Sequence, residues 1–320
     1  MTLDSHKIDL VTVCYLEEMR MLKMQARSIR LHADGHFINK IFVIFNDRNF
    51  PDFQDKFRAE IEHEYGEFAN RLVLVDGWSN LKKSRGKGGW VRQQVLKWQA
   101  ARFIESSHFM ILDSKNHFIK RFSAEHAFAQ DGRMLISRYP LNRAFTRKFL
   151  NACALFGAHP TDADFDQAMP QSTPYIASKQ LVEEMMDEME GLLGVDFETA
   201  FVKKGPFTEF YLYYAYILSK EGLFDRWYYQ ARQINVTFWN HAVETPDSFG
   251  LKMKRLNKPN VCSMGVHRRY IKNAPQEFMD GIKALWHDAG LVRTDEEFDY
   301  FSALPQTRAS IFRRIFSGGL

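Results

Sequence analysis

The chain has 320 residues, 45% of them hydrophobic and 26% charged, which is enough apolar material for a large core and not the composition of a disordered or collagenous chain. A formal charge of +4 and an isoelectric point near 8.8 are too mild to indicate nucleic acid, so where the cations sit matters more than their sum. Cys14, Cys153 and Cys262 are far apart and lack metal or disulfide spacing; with no signal-like start and no apolar run of about 18 residues, the expectation is a chain of the reducing cytoplasm.

Residues 8–14, IDLVTVC, read as a buried strand. Residues 16–31 follow as a helix, with Met19, Leu22, Ala26 and Ile29 near helical spacing. A second strand, 40–45, ends in Asn46-Asp47; a helix over 53–65 leads to a third strand, 71–75, ending in Asp76-Gly77. A helix over 91–105 then precedes strand 109–112, which stops on Asp113. This alternation predicts an α/β fold with a mostly parallel, helix-covered sheet, whose ligand lies beyond the carboxyl ends of the strands. Asp47, Asp76 and Asp113 all stand at such ends.

The segment KKSRGKGGW before the fourth strand's helix places Lys82, Lys83, Arg85 and Lys87 among three glycines. Freed backbone N–H groups and four cations suit a phosphate, or the segment is a solvated loop; it matches neither the P-loop nor the dinucleotide fingerprint. In the next helix Gln93 and Lys97 share a face, with Gln94 beside them, and either point at the strand ends or form a polar outer surface. In FMILDSKNHF, Asp113 can coordinate a divalent ion, accept from ribose hydroxyls or cap a turn. Ser114 and Lys115 follow it, and the Lys115 ammonium can offset diphosphate charge where a second acid would bind metal, while Asn116 and His117 offer neutral ligands.

Further on, strands are expected over 133–137, 227–229, 235–239 and 261–267, and helices over 178–190, 208–220, 277–289 and 294–301. Glu209 follows Thr208, an N-cap residue, so it is either a first-turn acid favoured by the helix dipole or a general base for a sugar hydroxyl. His267, Arg268 and Arg269 close a late strand, the arginines as a second phosphate grip. One domain over 1–305 is expected, with a nucleotide-binding part to about residue 120, an elaborated mixed second half, and a basic amphipathic tail over 306–320 that docks on the core or touches a membrane surface.

Together DLVTVCY, VIFND, GGWVRQQVLKW, FMILDSKN, TPYIASKQLVEEM, FTEFYLYYAYI and GVHRRY resemble a bacterial glycosyltransferase-like family of unknown function, DUF6492, and more distantly the GT-A nucleotide-sugar glycosyltransferases. The resemblance implies that Thr12, Tyr15 and Asp47 meet the nucleoside. It puts the DxD position on Asp113 and Lys115, makes His267 the match to a late metal ligand, and makes Glu209 the match to the base of inverting members. The implied partners are a nucleotide-sugar donor and a glycan acceptor of surface polysaccharide synthesis. Mn2+ or Mg2+ would be held by Asp113 and His267, unless Lys115 replaces the metal. Two other readings stand beside this one: a binding protein that kept the fold and lost catalysis, and a nucleotidyltransferase. Against the latter, the residues after the first strand, CYLEE, carry neither glycine nor cation.

Overall fold

In the computed structural model, which describes residues 7–239 and 244–303, the alternation of the first third is realised strand by strand. It runs β1 (Ile8–Cys14), α1 (Met19–His32), β2 (Ile38–Phe45), α2 (Phe50–Glu60), β3 (Leu72–Asp76), a single turn α3 (Gly77–Asn80), α4 (Gly89–Gln99) and β4 (His108–Asp113). Next come β5 (Asn116–Phe118), β6 (Met134–Ile136), α5 (Thr146–Phe156), α6 (Asp162–Asp166), β7 (Tyr175–Ser178), α7 (Lys179–Leu193), α8 (Phe197–Lys203), α9 (Glu209–Leu218), α10 (Leu223–Trp227) and β8 (Tyr228–Gln230). The described chain closes with β9 (Asn235–Phe238), α11 (Pro246–Leu256), β10 (Ser263–Val266), α12 (Arg268–Asn273), α13 (Gln276–Asp288) and α14 (Asp295–Ser302).

The central sheet has the order β3-β2-β1-β4-β7, its first four strands parallel and β7 antiparallel at the edge. All seven residues of β1 are buried, as a central strand covered on both faces requires. A second sheet, β5-β10-β9, pairs β5 antiparallel to β10 and β10 parallel to β9, and β6 pairs with β8. The sequence reading missed β5 and β7. Each is only three or four residues long, too short to show a period, and Asn116 and His117, expected to offer neutral ligands, stand in a strand of the second sheet.

Helix α1 is the link between the two cores. Leu22, Ala26 and Ile29 pack into the core of the central sheet, while Met21 and Met24 enter the core of the second sheet with Trp286 and Phe298. Full burial of a side chain such as Leu22 or Ile29 stabilises the fold by about 1.5–3 kcal/mol. Arg27 on the same helix is fixed by a fork-to-fork pair: Nε and Nη2 donate to Glu64 at 2.9 and 2.8 Å, and Nη1 donates to the Leu291 carbonyl at 2.7 Å and to Glu297 at 3.1 Å. His117 on β5 faces this second core: Trp286 Nε1 donates to its Nε2 at 2.8 Å, so Nδ1 carries the proton and donates to the Lys115 carbonyl. Burial pushes its imidazole down to about 3. It is therefore a neutral packing residue turned away from any ligand at Asp113. Among the described residues no helix is long and apolar enough to cross a membrane, and the tail at 306–320 lies outside them.

Candidate functional site

The parallel register brings the strand ends to one edge: Val13 stands opposite Asp113, Cys14 opposite Phe45, and Phe45 opposite Asp76. The order reverses between β1 and β4, the place where an open α/β sheet takes its ligand. A cleft of about 1170 Å³ opens there, lined by Tyr15, Asp113, Lys115, Glu209, Trp239 and Arg268 among others. Eight Lys and Arg residues against five Asp and Glu line it, so its field favours an anion.

The Asp113 turn is pinned from behind by α1. Gln25 accepts from Thr12 Oγ1 at 2.8 Å, and its Nε2 donates to the carbonyls of Asp113 at 2.8 Å and Asn116 at 2.9 Å. Asn116 Oδ1 in turn accepts from the Asp113 N–H at 2.9 Å and from Thr173 Oγ1 at 2.6 Å. Ser114 donates its hydroxyl to Glu18, whose carboxyl burial raises above the usual range. With its backbone so held, the Asp113 carboxylate meets two ammonium groups. Lys97 lies 2.9 Å from Oδ1 and Lys115 bonds Oδ2, and although burial alone would raise the Asp113 carboxyl, these two cations hold it far below the usual range. Lys115 also sits 4.8 Å from the Trp239 ring centroid.

Lys97 reaches past Asp113 to Glu209 Oε1 at 3.1 Å and joins the two acids into one buried chain. Burial works against its charge, but Asp113 and Glu209 together raise its affinity for the proton above that of an ordinary lysine. Glu209 is held at four points. Its N–H donates to Gln94 Oε1 at 3.2 Å, its carbonyl accepts from Trp98 Nε1 at 2.8 Å, and Lys97 and Gln171 donate to its two carboxylate oxygens, Gln171 at 3.4 Å. Gln171 is itself oriented by Thr208 Oγ1 and the Tyr211 N–H, both donating to its Oε1. Thr208 is thus the N-cap of α9 by position, while its hydroxyl serves Gln171 rather than the helix. A carboxylate so fixed, at the wall of a cleft, is preorganised to take a proton or steady a developing positive charge.

Of the residues singled out in the sequence, Tyr15, Asp47, Gln93, Lys97, Asp113, Ser114, Lys115, Glu209, His267 and Arg268 line the cleft. Arg268 pairs with Glu17 at 2.7 Å and lies over the Tyr15 ring, and His267 caps α12 by accepting the Arg269 N–H at 3.2 Å. Thr12, Lys87, Gln94 and Asn116 do not line it: Thr12 turns to Gln25, Gln94 supports Glu209 from within the core, Asn116 braces the turn, and Lys87 stands exposed on its loop. Asp76 caps α3 through the Ser79 N–H. The basic loop differs most from expectation. The N–H groups of Lys82, Lys83 and Ser84 all converge on the carboxylate of Glu198 at 2.6 to 3.0 Å, so the anion this nest holds is the protein's own. Gln171, Trp239 and Arg92 are cleft residues that sequence reasoning passed over. The proline-flanked polar run PQSTP around Gln171 was the available signal for the first.

These donors do not fit a divalent ion. Both oxygens of Asp113 are engaged by ammonium groups, which an ion would have to displace, and among the described residues no three His, Cys, Asp or Glu side chains gather as a ligand set.

The model of a family of unknown function, DUF6492, matches residues 7–253. No curated protein matches the sequence. Among solved structures, the galactosyltransferase LgtC, determined in complex with donor and acceptor sugar analogs, superposes with a TM-score of 0.51 at 12% identity, over 92% of this chain and all of that one. The fold is accordingly GT-A-like, a mostly parallel sheet between helices with a mixed second half.

Proposed function

The chain belongs to the DUF6492 family, and we propose that it is a glycosyltransferase moving a sugar from a nucleotide-sugar donor to a glycan acceptor. The observation that carries this reading is the Lys97 ammonium bridging Asp113 and Glu209 at the switch point of a GT-A-like sheet, inside a cleft with more cations than acids. The donor lies across β1 and β4, with the nucleoside near Tyr15 and Asp47 and the diphosphate against Lys115 and Arg268. As the acceptor oxygen bonds to the anomeric carbon, the carbon–phosphate oxygen bond breaks. The hydroxyl proton passes to the Glu209 carboxylate, and the nucleoside diphosphate departs with its charge met by Lys115. Because the Asp113 carboxylate is committed to two lysines, we propose that the lysines do the electrostatic work for which related enzymes use a divalent ion. Surface polysaccharide is the proposed acceptor class.

A thermal-shift panel of nucleotides and nucleotide sugars, with manganese or with chelator, tests the reading, since a ligand of the folded state raises its melting temperature. Stabilisation by a nucleotide sugar in chelator is expected, together with transfer that Lys115→Ala abolishes. A flat panel removes the proposal. One observation favours a second reading: every carboxylate oxygen of Asp113 and Glu209 already has an internal partner, as in a binding protein that has given up catalysis. That reading predicts nucleotide binding with neither hydrolysis nor transfer.

A further inference from the structure

Two and three strands away from Asp113, the ends of β2 and β3 carry a different charge arrangement. Trp78 follows Gly77, where a Cβ would stand 2.7 Å from the Phe45 carbonyl oxygen and 2.8 Å from Ile44, so only glycine lets the α3 turn lie this close to β2. Around the Trp78 ring gather three guanidinium groups, Arg48 and Arg92 at 5.1 Å and Arg85 at 5.9 Å from its centroid. Their hydrogen bonds go to neutral acceptors: Arg92 donates to Asn46 Oδ1 and the Lys87 carbonyl, and Arg85 to the carbonyls of Trp78 and Ser79. Among the described residues no carboxylate forms an ion pair with any of the three; Asp47 acts on Arg92 only at longer range, while Arg48 repels it. In the first turn of α4, Trp90 is 48% exposed, and Lys148 lies 4.4 Å above its ring and 5.3 Å from Phe145, again with no acid among the described residues in an ion pair with it. Trp90, Arg92 and Phe145 line the same cleft as Glu209, whose charge reaches Lys148.

Three like charges around one ring repel one another, and each cation–aromatic contact returns only about 0.5–1 kcal/mol at an exposed site. The arrangement gains most when an anion neutralises it. The nucleotide's own diphosphate is met at Lys115, and parallel strands stand about 4.8 Å apart, so groups at the ends of β2 and β3 lie roughly 10–14 Å from that point, the reach of a short oligosaccharide. Indole rings flanked by cations suit the apolar face of a pyranose that also carries an acidic group. Resting on the glycosyltransferase reading, we propose that the acceptor is an anionic glycan, with its carboxylate or phosphate held by Arg48, Arg85, Arg92 and Lys148 and a sugar ring on Trp90.

The test measures binding to the full chain, by calorimetry, of oligogalacturonate and its neutral methyl ester, and of a phosphorylated mannan fragment and its dephosphorylated form. One acidic member is expected to bind about tenfold or more tighter than its neutral counterpart, with the preference shrinking as salt is added. Which of the two pairs shows the preference tells carboxylate from phosphate. The exposed changes Arg48→Gln and Arg85→Gln and the half-buried Lys148→Gln, combined, are expected to reduce that preference to within about twofold, leaving the nucleotide-sugar thermal shift in place. Equal binding of acid and neutral forms, or binding of neither, overturns the proposal. So does a triple variant that loses the nucleotide-sugar shift while keeping its glycan preference, because the cluster then belongs to the donor. A wild-type chain that no nucleotide sugar stabilises sinks the glycosyltransferase reading instead, whatever the glycan titrations show.

Discussion

Two buried ion networks lie on opposite sides of α1, and they are built from different cations. Behind the helix, Arg27 grips Glu64 with two parallel bonds, and both side chains are under 10% exposed. In front of it, Lys97 and Lys115 share Asp113, whose side chain is 24% exposed to the cleft. A guanidinium fork fixes one geometry, whereas an ammonium group is a point charge on a rotatable stem that can exchange one acid for another oxygen. The first network is suited to hold helices in place, and the second to open when an anion enters. Burial and pairing therefore do not by themselves mark a site; the identity of the cation and an open side do.

Four measurements would break or sharpen this contrast. Arg27→Leu is expected to cost the most, about 3–5 kcal/mol in denaturant unfolding, because Glu64 is left charged and buried, while the folded fraction still binds nucleotide. If the loss is below about 1 kcal/mol, the rear network is not structural. Glu209→Gln should leave melting close to wild type and slow transfer by roughly 10²–10³, or about 3–4 kcal/mol in the barrier, as judged by single-turnover rates. Transfer at wild-type speed would remove Glu209 from the chemistry. Next is acid. His117 is held neutral with a pKa near 3 in the fold and one near 6.5 unfolded, so its contribution to stability is complete above about pH 6.5 and disappears as the pH falls towards 3. About 3 kcal/mol should be gone at pH 4.5. His117→Gln should flatten that part of the stability profile, and an unchanged slope would place the sensitivity elsewhere. The smallest effect is expected of Gln171→Ala, which frees one oxygen of Glu209: a fall of roughly fivefold in kcat, about 1 kcal/mol, with KM for the donor unmoved.

The central sheet was legible because its strands are long apolar runs separated by helices of clear period, and the parallel order follows from that alternation alone. Asp113 and Lys115 were legible for the same reason, as the residues at which a buried run stops. Lys97 was placed on the correct helix, but as one choice of two. Nothing in its surroundings in sequence says that its ammonium spans from a strand end to Glu209, 112 positions later. The basic loop was misread through the same kind of distance. Its glycines and cations suggest an empty nest, and Glu198, which fills it, sits in a helix start, DFETA, where an acid needs no further explanation. Asn116 and Gln94 carry the polar chemistry of a site but spend it on the backbone and on another side chain, a distinction set by packing and invisible in residue type.

The two-faced packing of α1 also decides where the chain can be cut. The family match stops at residue 253, inside α11, yet β10 still has to come and lie between β5 and β9. A chain ended there would leave β5 without its neighbour and expose Met21 and Met24 where α13 and α14 cover them. The packed core therefore runs to about Ser302, some fifty residues beyond the span by which the family is identified.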